Sequence, residues 1–219
     1  MKMKVFGLLV GLAAMGSVAS ATTIADINAT QCKCVQFGDK IFNGFSTGGS
    51  INENLVNVTG SQVGDTVFIN FGGPFSTAGT VDFQLFYHVT ALAGLIQSID
   101  QSFNLTSQGT GGSVGIGETV YSDAGRNFIV ANSSIGFFLV GDLNDPPGEP
   151  AQGDQLVINP ALNQVWVSKD IFLHANDGGL VGATIITQSF HQTAVPEPMT
   201  LSLMGVGLLG LGLLRRRIR

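Results

Sequence analysis

Asp82-Phe83-Gln84-Leu85-Phe86-Tyr87-His88-Val89-Thr90 alternates apolar and polar side chains. A period of two puts Phe83, Leu85, Tyr87 and Val89 on one face of an extended strand and Asp82, Gln84, His88 and Thr90 on the other. Phe86 interrupts the polar set, so this strand is expected to be partly covered on both faces. Working outward, Ile99, Phe103 and Leu105 alternate with Ser98, Asp100, Ser102 and Asn104 in a second long strand. Shorter candidates lie at residues 41–46, 66–71, 115–121, 128–131, 137–140, 155–159, 164–167, 171–175 and 181–190. No stretch of residues 22–194 carries a convincing helical stripe, and residues 91–96 offer one turn at most. Gly72-Gly73-Pro74, Gly109-Thr110-Gly111-Gly112 and Asp177-Gly178-Gly179 supply the positive φ, fixed φ and side-chain turns that reverse short strands. Strands so spaced, without interposed helices, indicate an all-β antiparallel sandwich or barrel. The expectation is a jelly-roll-like sandwich burying Phe83, Leu85, Tyr87, Ile99, Phe103, Val165, Val167, Ile171, Leu173 and Ile185 between its sheets.

Both ends of the chain read as addresses. Lys2 and Lys4 precede an apolar stretch over residues 5–15, and Ala19-Ser20-Ala21 supplies the small residues a signal peptidase requires. Residues 1–21 therefore read as a signal peptide, helical in the precursor, with Thr22 as the new N-terminus. No cysteine stands at the junction, which argues against a lipid-anchored lipoprotein. At the other end Val195-Pro196-Glu197-Pro198 leads into a glycine-laced apolar run over residues 199–214 and then Arg215-Arg216-Arg217-Ile218-Arg219. Sixteen residues fall short of the roughly twenty that cross a bilayer, although thinning of the membrane and arginine snorkelling relax that limit. Read alone, the run is a transmembrane helix with its arginines on the cytoplasmic side and the body, residues 22–194, outside the inner membrane.

A Pro-Glu-Pro box, a short glycine-rich apolar segment and a terminal arginine cluster, on a chain with a signal peptide, resemble the PEP-CTERM sorting signal of Gram-negative bacteria. The matching residues are Pro196, Glu197 and Pro198, followed by Arg215, Arg216 and Arg217, so the sorting signal spans residues 195–219. The resemblance implies handling by the membrane protease-transferase exosortase after signal peptidase has acted, and only a transient stay in the inner membrane. It further implies placement at the cell surface or in the extracellular matrix, commonly in bacteria that make exopolysaccharide. The segments 37–45, 83–90, 167–171 and 188–190 are also similar to stretches recurring in small secreted PEP-CTERM proteins with all-β bodies.

The body is acidic. Its basic side chains are Lys33, Lys40, Arg126 and Lys169, four against fourteen acidic ones, a formal net charge of −10 that the whole-chain value of −5 conceals. That balance disfavours nucleic acid, whose binding rests on Lys and Arg neutralising phosphates. It suits solubility outside the cell and cation-mediated association.

Four features carry candidate chemistry. Cys32-Lys33-Cys34 is the only thiol pair; in an extended strand its Cα atoms would sit near the upper limit of the usual range of about 4.4–6.8 Å. A local disulfide in the oxidising envelope is one reading, and pairing with another molecule or free thiols are the others. Asp142, Asn144, Asp145, Glu149 and Asp154 gather oxygen ligands in one proline-stiffened loop, a candidate calcium site and otherwise a solvated turn. No other cofactor is suggested. His88 shares a strand face with Asp82, yet no Gly-x-Ser-x-Gly elbow or paired-histidine motif accompanies it, and Asp82, Asp100 and Glu118 are carboxylates that would have to converge in space to hydrolyse a glycoside. Trp166, between Val165 and Val167, faces opposite to both, either beneath a second packed layer or exposed as a platform for a sugar ring.

These features fit three classes of function. The first is a non-enzymatic surface or matrix protein associating with exopolysaccharide or neighbouring surface proteins. The second is a carbohydrate-binding module, for which Trp166 is the handle, and the third is a glycoside hydrolase-like enzyme.

Overall fold

The computed structural model describes residues 21–49, 51–138 and 153–193. Most of the signal peptide, the loop carrying Asp142, Asn144, Asp145 and Glu149, and the sorting residues Pro196, Glu197, Pro198, Arg215, Arg216 and Arg217 lie outside that set. Among the described residues no helix is long and apolar enough to cross a membrane.

Twelve strands are described: β1 Thr22–Thr23, β2 Cys34–Phe37, β3 Lys40–Gly49, β4 Asn57–Val63, β5 Thr66–Thr77, β6 Thr80–Ala91, β7 Ile96–Gln108, β8 Gly112–Tyr121, β9 Ile129–Phe138, β10 Gly153–Leu162, β11 Gln164–Ala175 and β12 Leu180–Gln192. They form two six-stranded sheets, a first in the order β1-β4-β5-β12-β7-β10 and a second in the order β2-β3-β6-β11-β8-β9. Each ladder is antiparallel. Two hairpins, β2–β3 and β4–β5, turn on Gly-Asp pairs whose glycines, Gly38 and Gly64, have φ of 55° and 58°. Positive φ at the first loop residue matches the hairpin twist to that of the strands, and glycine adopts it without steric cost.

The period-two pattern of β6 sets the layer between the sheets: Phe83, Leu85, Tyr87 and Val89 are all buried. Rings of the second sheet, Phe42 of β3 among them, meet those of the first, with Phe71 and Tyr87 at 5.3 Å, Phe75 and Phe83 at 5.3 Å, and Phe42 and Phe190 at 5.5 Å. Of the expected core, Ile185 does not take its place. The pairing of β12 slips between Ala183 and Ile185, where two residues on the bulged strand oppose one on the partner, so Ile185 is 39% exposed and Ile186 is buried instead.

Two other expectations change. A six-residue helix, α1 (Ile24–Ala29), stands where no helical stripe is legible. Its reason is local: Thr23 caps it by accepting from the Asp26 N–H at 3.1 Å while Asp26 accepts back from the Thr23 N–H, and Ile24 and Ile27 are buried. The expected strands 164–167 and 171–175 are one strand, β11, running straight through Ser168-Lys169-Asp170. That polar triplet keeps the alternation, with Lys169 turned inward and fully buried.

Candidate functional site

Strand β11 is central in the second sheet, so its outward residues meet neighbours on both sides. Register places His88, Trp166 and Tyr121 side by side across β6, β11 and β8, with Phe86, Ser168 and Thr119 on the next row and Gln84, Asp170 and Gly117 on the one after. Beyond β8 the rows continue on β9 with Asn132 opposite Thr119 and Ser134 opposite Gly117.

The indole of Trp166 stacks on the His88 ring at 4.4 Å and 19°. Neighbouring strands are only about 4.8 Å apart, so two rings this close and parallel stand upright on the sheet rather than lying flat. One indole face is covered by His88, and the other is turned towards β8. His88 is itself fixed by Asn43, Oδ1 to Nδ1 at 2.9 Å. Burial lowers its pKa below the ordinary histidine value, with a Gln164 hydrogen bond opposing, so the ring beneath the indole is neutral at pH 7.

Beside this aromatic row runs an open groove of about 430 Å³ over Gly117, Thr119, Asn132, Ser134, Ser168 and Asp170. Gly117 supplies its depth: a Cβ there would meet only Asp170 atoms, the nearer at 3.6 Å. Among the described residues, no side-chain hydrogen bond engages Thr119, Asn132, Ser134 or Ser168. The Asp170 carboxyl is held above the usual carboxylate range, first by partial desolvation and then by the charge of Asp82 beside it. On the β6 side, Arg126 lies 3.9 Å over the Phe86 ring, which explains the partial cover expected of Phe86. Asp123 shapes the loop that delivers Arg126, accepting from the N–H groups of Asn127 at 3.0 Å and Phe128 at 2.9 Å; these bonds, the Phe128 one foremost, hold its pKa low.

The outer face of the first sheet is built differently. Asp100, Ser189, His191 and Thr66 come from β7, β12 and β5 and bind one another: His191 Nε2 lies 2.7 Å from Asp100 Oδ2 and 3.1 Å from Ser189 Oγ, and Nδ1 lies 3.0 Å from Thr66 Oγ1. Asp100 and Ser189 thus share one imidazole nitrogen, whereas activation of a serine needs hydroxyl and carboxylate on opposite nitrogens. Thr187 donates to Asn70 at 2.8 Å on the same face.

Between the sheets, a polar network interrupts the apolar core. Lys169 Nζ bonds Glu118 Oε2 and Gln101 Oε1, the latter at 3.1 Å. Gln188 donates to Glu118 Oε1 at 2.8 Å and accepts from the Tyr87 hydroxyl at 2.7 Å, and Gln101 donates to Ser133 Oγ at 2.7 Å. Lys169, Glu118, Gln101 and Gln188 are each at most 2% exposed. Burial pushes the Lys169 pKa down, against the pull of Glu118, and pushes that of Tyr87 well up. The sequence carried a usable signal: Glu118 and Lys169 each fall on the apolar phase of a strand alternation, and their register makes them direct cross-strand neighbours.

Asp82, Asp100 and Glu118, the trio that hydrolysis would require together, are dispersed to the outer face of the second sheet, the outer face of the first, and the interior. Cys32 and Cys34 are bonded to each other with Cα atoms 5.1 Å apart. Their geometry is a turn rather than the extended strand assumed from sequence, since Lys33 between them has φ of 49°. Of the calcium candidates only Asp154 is described; it opens β10 opposite Gln101. Among the described residues no three His, Cys, Asp or Glu side chains gather as a metal site.

Residues 194–217 match the PEP-CTERM protein-sorting motif, which is consistent with export handled by exosortase. No curated protein matches the chain. Among solved structures the chain is similar to TmCBM61 in complex with β-1,4-galactotriose, at 16% identity over 66% of this chain and 87% of that one, with a TM-score of 0.32. It is also similar to the enzymatically active domain of bacteriophage CBA120 tailspike protein 4, at 15% identity over 68% of this chain and 19% of that one, with a TM-score of 0.26.

Proposed function

We propose that the body of this exported chain is a non-catalytic carbohydrate-binding sandwich that holds a neutral polysaccharide against the outer face of its second sheet. The observation that carries the reading is the upright Trp166 indole, fixed by His88 one row away from a groove whose hydroxyl and amide groups have no partner among the described residues. A pyranose ring offers an apolar face to stack on the indole and a rim of hydroxyls to hydrogen-bond Ser168, Thr119 and Asn132. The three-strand row of His88, Trp166 and Tyr121 spans about 10 Å, enough for consecutive sugars. Asp170 lines the groove with Asp82 beside it, and only Lys33 and Arg126 remain as unburied cations of the body, so a polyanionic glycan is disfavoured.

The strand order supports the finer reading of the sandwich as a jelly roll: β5-β12-β7-β10 faces β6-β11-β8-β9, and from β5 to β12 successive strands alternate between sheets except at the β8–β9 hairpin, as in two Greek keys. In this reading signal peptidase frees Thr22, the sorting segment is held briefly in the inner membrane, and exosortase cuts near Pro196, leaving the body at the surface or in the matrix with exopolysaccharide as its partner. The test is retention of the mature protein on a panel of soluble neutral polysaccharides, including the exopolysaccharide of the producing cells. Trp166→Ala should weaken retention tenfold or more, about 1.4 kcal/mol, while leaving thermal unfolding nearly unchanged. Equal retention of both proteins, or of neither, would refute the assignment of this face.

A further inference from the structure

The buried network does more than an ion pair requires. Lys169 on β11 has two partners, the carboxylate of Glu118 on β8 and the side-chain amide of Gln101 on β7 in the opposite sheet. An amine bonded at once to a carboxyl group and a carboxamide, all shut away from water, holds the parts of an amide-transfer reaction. We propose that the folded chain joins Lys169 to Gln101 by an intramolecular isopeptide bond, with Glu118 as the proton-transfer group and ammonia as the product.

The chemistry balances on these residues alone. The attacking amine must be neutral, so the first step passes the Lys169 proton to Glu118, the carboxylate it bonds. The lowered pKa of Lys169 points the same way. The Nζ lone pair attacks Cδ of Gln101 while Glu118 donates its proton towards the developing oxyanion. An Nζ proton is then transferred through Glu118 to the departing nitrogen. Collapse breaks the Cδ–Nε2 bond and returns the oxyanion's proton to Glu118, which ends as the acid it was before the attack, with the Nζ–Cδ amide formed and ammonia released. No oxidant, cofactor or second substrate is consumed.

Each group is held for that role. Gln188 donates to Glu118 Oε1 at 2.8 Å, itself fixed by Tyr87, and so leaves Oε2 on the amine. Gln101 Nε2 donates to Ser133 Oγ at 2.7 Å, which turns the amide oxygen towards Lys169. The bond would lock the two sheets together through their centre, a useful property for a protein that works outside the cell.

The test is mass spectrometry of the full-length chain, recovered in denaturant before it has folded and then allowed to fold. The folded chain should become lighter by one ammonia in a first-order process independent of protein concentration. After complete trypsin digestion, segment 41–126, which holds Gln101, should travel covalently joined to a segment uncut at Lys169. Glu118→Gln should slow the mass loss about a hundredfold or more, and Lys169→Met, which replaces the amine by an apolar side chain of similar length, should abolish it. A folded wild-type chain that keeps its full mass and is cut after Lys169 would overturn the proposal, whatever the variants do. Loss of water with a link to Glu118 would overturn it too, because Glu118 would then be the electrophile.

Discussion

The two outer faces of this sandwich draw on similar residues and use them in opposite ways. On the first sheet, Thr66, Asp100, Thr187, Ser189 and His191 spend their hydrogen bonds on one another and on Asn70, tying β5, β12 and β7 together. On the second sheet, Thr119, Asn132, Ser134 and Ser168 have no such partners among the described residues, and a stacked Trp166 and His88 stand over them. A polar surface that satisfies itself presents little for a ligand to replace. One that leaves donors and acceptors beside an aromatic wall can trade water for a sugar's hydroxyls at small desolvation cost.

The contrast can be broken by mutation. Trp166→Ala should produce the largest effect on polysaccharide retention, tenfold or more, whereas Asp100→Asn on the opposite face should leave retention unchanged and lower stability by about 1 kcal/mol. Denaturant unfolding beside a retention assay separates the two outcomes. Ser168→Ala should weaken retention a few-fold, about 0.5–1.5 kcal/mol for one lost hydrogen bond, while Ser189→Ala should not affect it. The smallest effect is a pH dependence. The folded pKa of His88 lies below its unfolded value, so the unfolded chain binds the proton first. Its contribution to stability is complete above about pH 6.5 and is lost as the pH falls towards the folded pKa, and His88→Gln should remove that part of the acid sensitivity. Titration of the His88 ring by NMR checks the direction.

Much of the face that carries this comparison was legible in the sequence. The alternation around Tyr87 fixes the inner and outer faces of β6, and the place of Trp166 between two valines puts it outward on β11. The setting of Trp166 was not legible, because the stack with His88 depends on cross-strand register, which no local pattern specifies. The interior polar network escaped for a related reason. Lys169 in Ser168-Lys169-Asp170 looks like the end of a strand, and only the register of β8 and β11 shows that Glu118 stands opposite to compensate it. Ile185 was misplaced because a bulge shifts the phase of β12 by one residue, and α1 was missed because its stability rests on a Thr23–Asp26 capping box and two isoleucines rather than on a long stripe. The sorting motif was legible outright, since its three parts lie in sequence and need no fold to recognise.

Trp166 is the only tryptophan in the chain, so its fluorescence reports on the proposed platform without interference. Titration of the mature protein with a neutral polysaccharide that retains it should produce a saturable shift and change of intensity in that emission, at the concentrations where retention occurs. An emission spectrum unchanged at saturating polysaccharide, with the protein fully retained, would place the glycan elsewhere and contradict the account.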